Sequence, residues 1–99
     1  MLKTKKFEVL DYLKTEKDIE DYLNVVLEEG DHKFLPVALA DIARARKAMT
    51  NAAKAAGVSR TSLYQSLSEE GQPSFETVAK VARALGYRFS LVPVSQPTV

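Results

Sequence analysis

Ninety-nine residues, 45% apolar and 27% charged, bound a single small globular domain with a modest core and exclude a disordered or fibrous chain. With no cysteine there is no disulfide framework, thiolate metal site or cysteine nucleophile, and no apolar run approaches the ~20 residues that span a bilayer, so a cytoplasmic protein is expected. The net charge of +1 hides an asymmetry: residues 1–43 carry six bases and ten acids (−4), and residues 44–99 eight bases and three acids (+5).

Phe7 and Val9 flank Glu8 in the alternation of a short strand, but Leu10 breaks the period, and residues 1–14 are expected to form an extended N-terminal arm. Thr15 followed by Glu16 and Asp18 has the composition of a helix start, a hydroxyl cap with acids at the positive end of the helix dipole. Ile19, Tyr22, Leu23, Val26 and Leu27 then recur at helical spacing until Gly30 stops the run. Asp31 is placed to cap a second helix that buries Phe34, Leu35, Ala38, Leu39, Ile42 and Ala45, with Pro36 shifting its regular start toward Leu35.

The stretch from Thr50 to Leu67 carries the strongest signal. Its grammar is that of a helix-turn-helix, whose second helix enters the DNA major groove. Gly57, four residues after Ala53, tolerates the positive φ of a sharp turn, Ala53 is small where two helices cross, and Val58 and Leu63 are expected to point inward and hold the angle. Ser59 is placed to cap the second helix, leaving Arg60, Thr61, Ser62 and Gln65 outward, all able to hydrogen-bond phosphates or base edges. The alternative is an ordinary helical hairpin with a polar second helix. Residues 68–73 read as a loop, and Ser74 caps a fifth helix with Phe75, Val78, Val81, Ala82 and Leu85 inward and Gly86 at its end. The fold class is mainly α, a five-helix bundle over residues 15–86.

From Tyr87 to Leu91 the period changes to alternation, so residues 87–94 are expected to form a short β-strand, with 95–99 a flexible tail. A lone strand leaves backbone groups unpaired on both edges. It must pair with the segment around Phe7, with a second copy of itself or with another protein. Tyr87, Phe89 and Leu91 are the dimerisation candidates.

The basic half contains the helix-turn-helix, as neutralising phosphates requires, while the acidic half suits a basic partner. Arg60 is the sharpest candidate: its guanidinium either forks onto a guanine, worth about 1–3 kcal/mol of base discrimination, or binds a phosphate. Thr61 and Gln65 share a face one turn apart and reach base edges if Arg60 does. Ser59 caps the helix and brings backbone N–H groups near a phosphate. Tyr64 either touches a thymine methyl or phosphate or packs against the domain. Thr50, Asn51 and Lys54 are phosphate contacts or a solvated helix end, and Arg44, Arg46 and Lys47 either add to the basic surface or are merely exposed. No enzyme is expected, and no catalytic residue, cofactor or metal. His32 is the single histidine, no His/Asp/Glu cluster has ligand spacing, and the acid pairs Glu28-Glu29 and Glu69-Glu70 diverge on helices.

Residues 41–46 leading into the helix-turn-helix, the run Ser59-Arg60-Thr61-Ser62-Leu63-Tyr64, the turn Gly71-Gln72-Pro73-Ser74-Phe75-Glu76-Thr77-Val78 and Ala84-Leu85-Gly86-Tyr87-Arg88 resemble the HigA-type antidote proteins of addiction modules. The acidic segment from Tyr12 to Asp31 fits as well, so the likeness covers about residues 7–92. The resemblance implies a lambda-repressor-like (Xre, phage-repressor-like) helix-turn-helix and a double role. Such antitoxins of type II toxin–antitoxin modules neutralise a RelE/HigB-like toxin that cleaves messenger RNA, and bind operator DNA to autorepress their operon. Matched to phage-type repressors, the base-reading slots fall on Arg60, Thr61 and Gln65, with phosphate contacts near Thr50 and Ser59. Two departures stand out: the first helix of the pair is shortened, and Ser66 occupies a slot where those repressors bury an aliphatic residue, leaving Leu67 to take it over.

One recognition helix reads half a site, so specificity calls for a homodimer with half-sites about 34 Å apart. A toxin that handles RNA is basic, which makes Glu16, Asp18, Glu20, Asp21, Glu28 and Glu29 the candidate toxin-docking face. The alternatives are a stand-alone phage-like repressor and an interaction module whose helix-turn-helix has lost DNA affinity.

Overall fold

The computed structural model describes residues 9–30 and 32–94, and among them every regular element is helical. In chain order these are α1 (Val9–Tyr12), α2 (Glu16–Glu29), a 3₁₀ turn (His32–Phe34), α3 (Leu35–Ala45), α4 (Met49–Ala56), α5 (Arg60–Leu67) and α6 (Phe75–Ala84). Six α-helices replace the expected five. The addition is α1, which occupies part of the supposed extended arm: Val9 and Leu13, one turn apart, face the core together, Leu13 is buried, and α1 packs on α3. Phe7, and with it the strand pairing considered around it, lies outside the described residues, as do the Asp31 cap and the tail over 95–99.

The start of α2 follows its sequence signature. The Thr15 hydroxyl accepts the Asp18 N–H at 3.1 Å, and the Asp18 carboxylate accepts the N–H groups of Lys14 (3.0 Å) and Thr15 (3.1 Å). This reciprocal box satisfies helix-start donors and, through the Lys14 N–H first, holds the Asp18 carboxyl below its ordinary pKa. Of the apolar stripe on α2, Ile19 is buried, Tyr22, Leu23 and Val26 are half-buried, and Leu27 is exposed. Pro36 sits in the first turn of α3, where its missing N–H costs nothing, and Ala38, Leu39, Ala40, Ile42 and Ala43 are buried behind it. Phe34 and Phe75, expected inside, are exposed: each sits at the very start of a helix, outside the stripe that meets the core.

Helices α3, α4 and α6 end alike. After α4, the Val58 N–H returns to the Ala53 carbonyl and the Gly57 N–H to that of Lys54, both at 3.1 Å; after α6, Tyr87 and Gly86 return to Ala82 and Arg83, both at 2.9 Å. Each closure needs a left-handed residue, supplied by Gly57 (φ 77°) and Gly86 (φ 97°). After α3 the pattern is repeated by Ala48 to Ala43 (2.7 Å) and Lys47 to Arg44 (3.1 Å), but the left-handed residue is Lys47, with φ 55°.

The core runs between these helices, with Ile42, Leu63, Leu67 and Val81 as its largest fully buried side chains. Helix α4 packs chiefly on α6, α2 on α3, and α5 on both α3 and α4. The expected strand over 87–94 is not formed. Tyr87 packs against the core and under the Arg46 guanidinium, 5.5 Å from the ring centroid, and Phe89 meets Phe75 at 5.3 Å between ring centroids. Among the described residues no strand is present to supply an edge.

Candidate nucleic-acid interface

Helices α4 and α5, eight residues each, are joined by the three residues Gly57, Val58 and Ser59. The left-handed Gly57 turns the chain, and Ser59 then caps α5, its hydroxyl accepting the Ser62 N–H at 3.0 Å. Ala53 is buried where the helices meet and Leu63 is wholly buried, as expected. Val58 is not: at 43% exposure it lies outside the pair, because the glycine turn carries the next residue away from the core and Ala53 with Leu63 fills the space between the helices.

Only Leu63 and Leu67 of α5 are buried, so Leu67 takes the inward position and Ser66 is half-buried, its hydroxyl donating to the Leu63 carbonyl at 3.2 Å. Arg60, Thr61, Ser62, Tyr64 and Gln65 are exposed. The helix is thus a polar surface element held by two leucines.

Beside α5 lies a groove of about 290 Å³ between the end of α3, the start of α4 and the start of α5. Ala43 and Met49 line it together with Arg44, Lys47, Thr50, Arg60 and Tyr64. The fold therefore gathers Thr50, Arg60 and Tyr64, and adds two cations that sequence reasoning left undecided. Asn51 and Lys54 are exposed on α4 and, like Thr61, Ser62 and Gln65, do not line the groove. Helix α4 has Ala48 at its N-cap and no side-chain cap, so its first-turn N–H groups open beside Thr50.

The three cations at the end of α3 have separate fates. Arg44 is tethered to Asp41 at 3.4 Å, and Asp41 also accepts the Tyr22 hydroxyl at 2.8 Å; burial, then this carboxylate, raises the Tyr22 pKa. Arg46 turns away from the groove, pairing with Glu16 at 2.8 Å and donating to the Leu85 carbonyl and to the Tyr87 hydroxyl at 3.3 Å. Lys47 and Arg60 make no ion pair among the described residues.

The candidate docking acids are equally uneven. Glu16 is held by Arg46, Asp18 by the cap of α2, and Asp21 by Lys17 at 3.2 Å. Glu20, Glu28 and Glu29 are exposed with no such partner among the described residues. Of the dimerisation candidates, Tyr87 is half-buried, Phe89 is 38% exposed and Leu91 is 98% exposed, with Val92 and Val94 also bare. Among the described residues no three His, Cys, Asp or Glu side chains gather as metal ligands, and no helix is long and apolar enough to cross a membrane.

The described residues form a small helical domain with a polar helix beside a groove lined by Arg44, Lys47 and Arg60. The chain belongs to the family of probable addiction module antidote proteins, whose model matches residues 3–93. An uncharacterized protein of Haemophilus influenzae is 45% identical over 87 residues, covering 88% of this chain and 89% of that one. No solved structure matches. Membership in this family implies an antidote, or antitoxin, of an addiction module, and with it a cognate toxin as partner.

Proposed function

We propose that this antitoxin belongs to a type II module, neutralises a RelE/HigB-like mRNA-cleaving toxin in the cytoplasm, and autorepresses its operon through α4 and α5 acting as a helix-turn-helix on operator DNA. The observation that carries the DNA-binding part is α5 itself, a capped helix with two buried leucines and the polar or aromatic Arg60, Thr61, Ser62, Tyr64 and Gln65 open to solvent, beside a groove where Lys47 and Arg60 make no ion pair among the described residues. Arg60, Thr61 and Gln65 read base edges; Thr50, Ser59 and Lys54 meet phosphates, with Asn51, Ser62 and Tyr64 at the margin. Arg60→Ala/Gln65→Ala is expected to abolish the sequence-specific shift on DNA upstream of the gene while leaving non-specific binding at low salt. A double variant that shifts operator DNA as well as the unsubstituted protein overturns this assignment.

The molecule acts as a homodimer joined through Tyr87, Phe89 and Leu91, since the exposed apolar side chains of Leu91, Val92 and Val94 beside Phe89 favour cover by a second copy. The toxin docks on the α2 acids that remain uncommitted, Glu20, Glu28 and Glu29, with Glu16, Asp18 and Asp21 already engaged at their edge. In sedimentation, Phe89→Asp should yield monomer, and lysines at Glu20, Glu28 and Glu29 should release a bound toxin. A dimeric Phe89→Asp protein, or undiminished toxin binding, removes the respective interface.

A further inference from the structure

Lys47 is the one non-glycine with positive φ among the described residues, and it stands where the matching helix ends use Gly57 and Gly86. A left-handed backbone is unfavourable for a side chain with a Cβ, so glycine would serve the fold better at this position. Its backbone N–H closes the turn as a glycine's would, but the side chain returns nothing to the fold in exchange: it is exposed and makes no hydrogen bond or ion pair among the described residues. What it does is line the groove that Arg60 also lines, while its neighbour Arg44 is held by Asp41 and Arg46 is spent on α6 and α2. A left-handed backbone at an exposed, charged position beside a groove points to a ligand rather than to the fold for its role.

We infer that Lys47 is a phosphate-binding residue for duplex DNA, gripping the sugar–phosphate backbone across the groove from Arg60; this rests on the DNA-binding reading above. The turn after α3 projects the ammonium from a fixed backbone, and a flexible point charge with three donors suits a phosphate better than a base edge. Lys47 therefore contributes affinity without specificity, while Arg60 and Gln65 supply the reading.

The test compares Lys47→Asn, Lys47→Gly and Lys47→Arg by titration against operator and unrelated duplexes over a range of salt. Asparagine tolerates the left-handed region without the charge, glycine relieves the strain, and arginine keeps the charge. The expected result for Asn and Gly is weaker binding to both duplexes alike, with the slope of log affinity against log salt shallower by about one. Arginine should retain the slope. Lys47→Gly should also melt higher, by on the order of 4 °C, which separates lost binding from lost folding. An unchanged salt slope in Lys47→Asn and Lys47→Gly, in a protein that still binds operator, overturns the role of Lys47 alone. Failure of the unsubstituted protein to bind any duplex at low salt overturns the DNA-binding reading and this inference with it.

Discussion

Leu63→Ala is expected to cost about 2–5 kcal/mol of folding stability, the range for truncating a fully buried leucine without collapse of the site around it. Leu63 and Leu67 are both wholly buried, and no other residue of α5 is. Eight residues are too few to hold a helix in water alone, so α5 exists through these two anchors and the Ser59 cap. The cavity would open where α5 meets α3 and α4, around residues already as small as Ala52, Ala53 and Ala43. A methyl group is too short to fill the space, which places the cost toward the upper part of the range. Urea unfolding measures it directly, and under the proposed DNA-binding role operator affinity should fall with it, because the side chains proposed to read bases ride on the loosened helix. Val58→Ala, on the exposed side of the same turn, should change stability by no more than about 0.5 kcal/mol. A Leu63→Ala loss below about 1 kcal/mol would mean that α5 is fixed by something other than its leucines.

Much of this architecture is legible in local sequence because the signals are local chemistry. Thr15 with Asp18 three residues on, Ser59 before α5 and Ser74 before α6 each place a hydroxyl against a backbone N–H, and all three caps form as read. Gly57 likewise marks its turn through φ alone. Errors arise where the outcome depends on distant partners. The alternation from Tyr87 onward does report a shared side: Tyr87 lies under Arg46 and Phe89 meets Phe75 of α6. Alternation is only half of a strand, however; the other half is an edge to bond, and the described residues contain no strand. The four residues of α1 carry too short a pattern to tell a helical turn from an arm. Within the groove, Thr50, Arg60 and Tyr64 were recognisable from their places on α4 and α5, whereas Lys47 was not, because nothing in Ala45-Arg46-Lys47-Ala48 announces a left-handed residue. The division of labour among Arg44, Arg46 and Lys47 depends on Asp41, Glu16 and Leu85, the last two 30 and 39 residues from Arg46.

Arg46→Ala is expected to lose about 2–3 kcal/mol, the scale of charge-assisted hydrogen bonds whose acceptor is left without its donor. The guanidinium joins three parts of the chain: Glu16 in the first turn of α2, the Leu85 carbonyl at the end of α6, and Tyr87 of the terminal segment, over whose ring it also lies. These contacts do not weigh equally. Glu16 is 74% exposed, so its pair with Arg46 is worth less than about 1 kcal/mol and Glu16→Gln should be nearly silent. The Leu85 carbonyl stands at the negative end of the α6 dipole, and Leu85 itself is buried, so most of the energy resides there and in the face of Tyr87. Lysine has one nitrogen where the guanidinium places Nη1 on the Leu85 carbonyl and Nη2 on Glu16 and Tyr87, and no flat face for the Tyr87 ring, so Arg46→Lys should recover less than half of the loss. A double-mutant cycle of Arg46→Ala with Glu16→Gln and Tyr87→Phe apportions these terms, and equal losses from Arg46→Ala and Glu16→Gln would assign the energy to the exposed pair instead. The same arginine holds the segment that carries Phe89 and Leu91 against the helical body. Its loss should therefore also raise amide exchange over residues 87–91 and weaken the proposed self-association, which would tie this arginine to assembly and leave the groove cations to the proposed DNA contact.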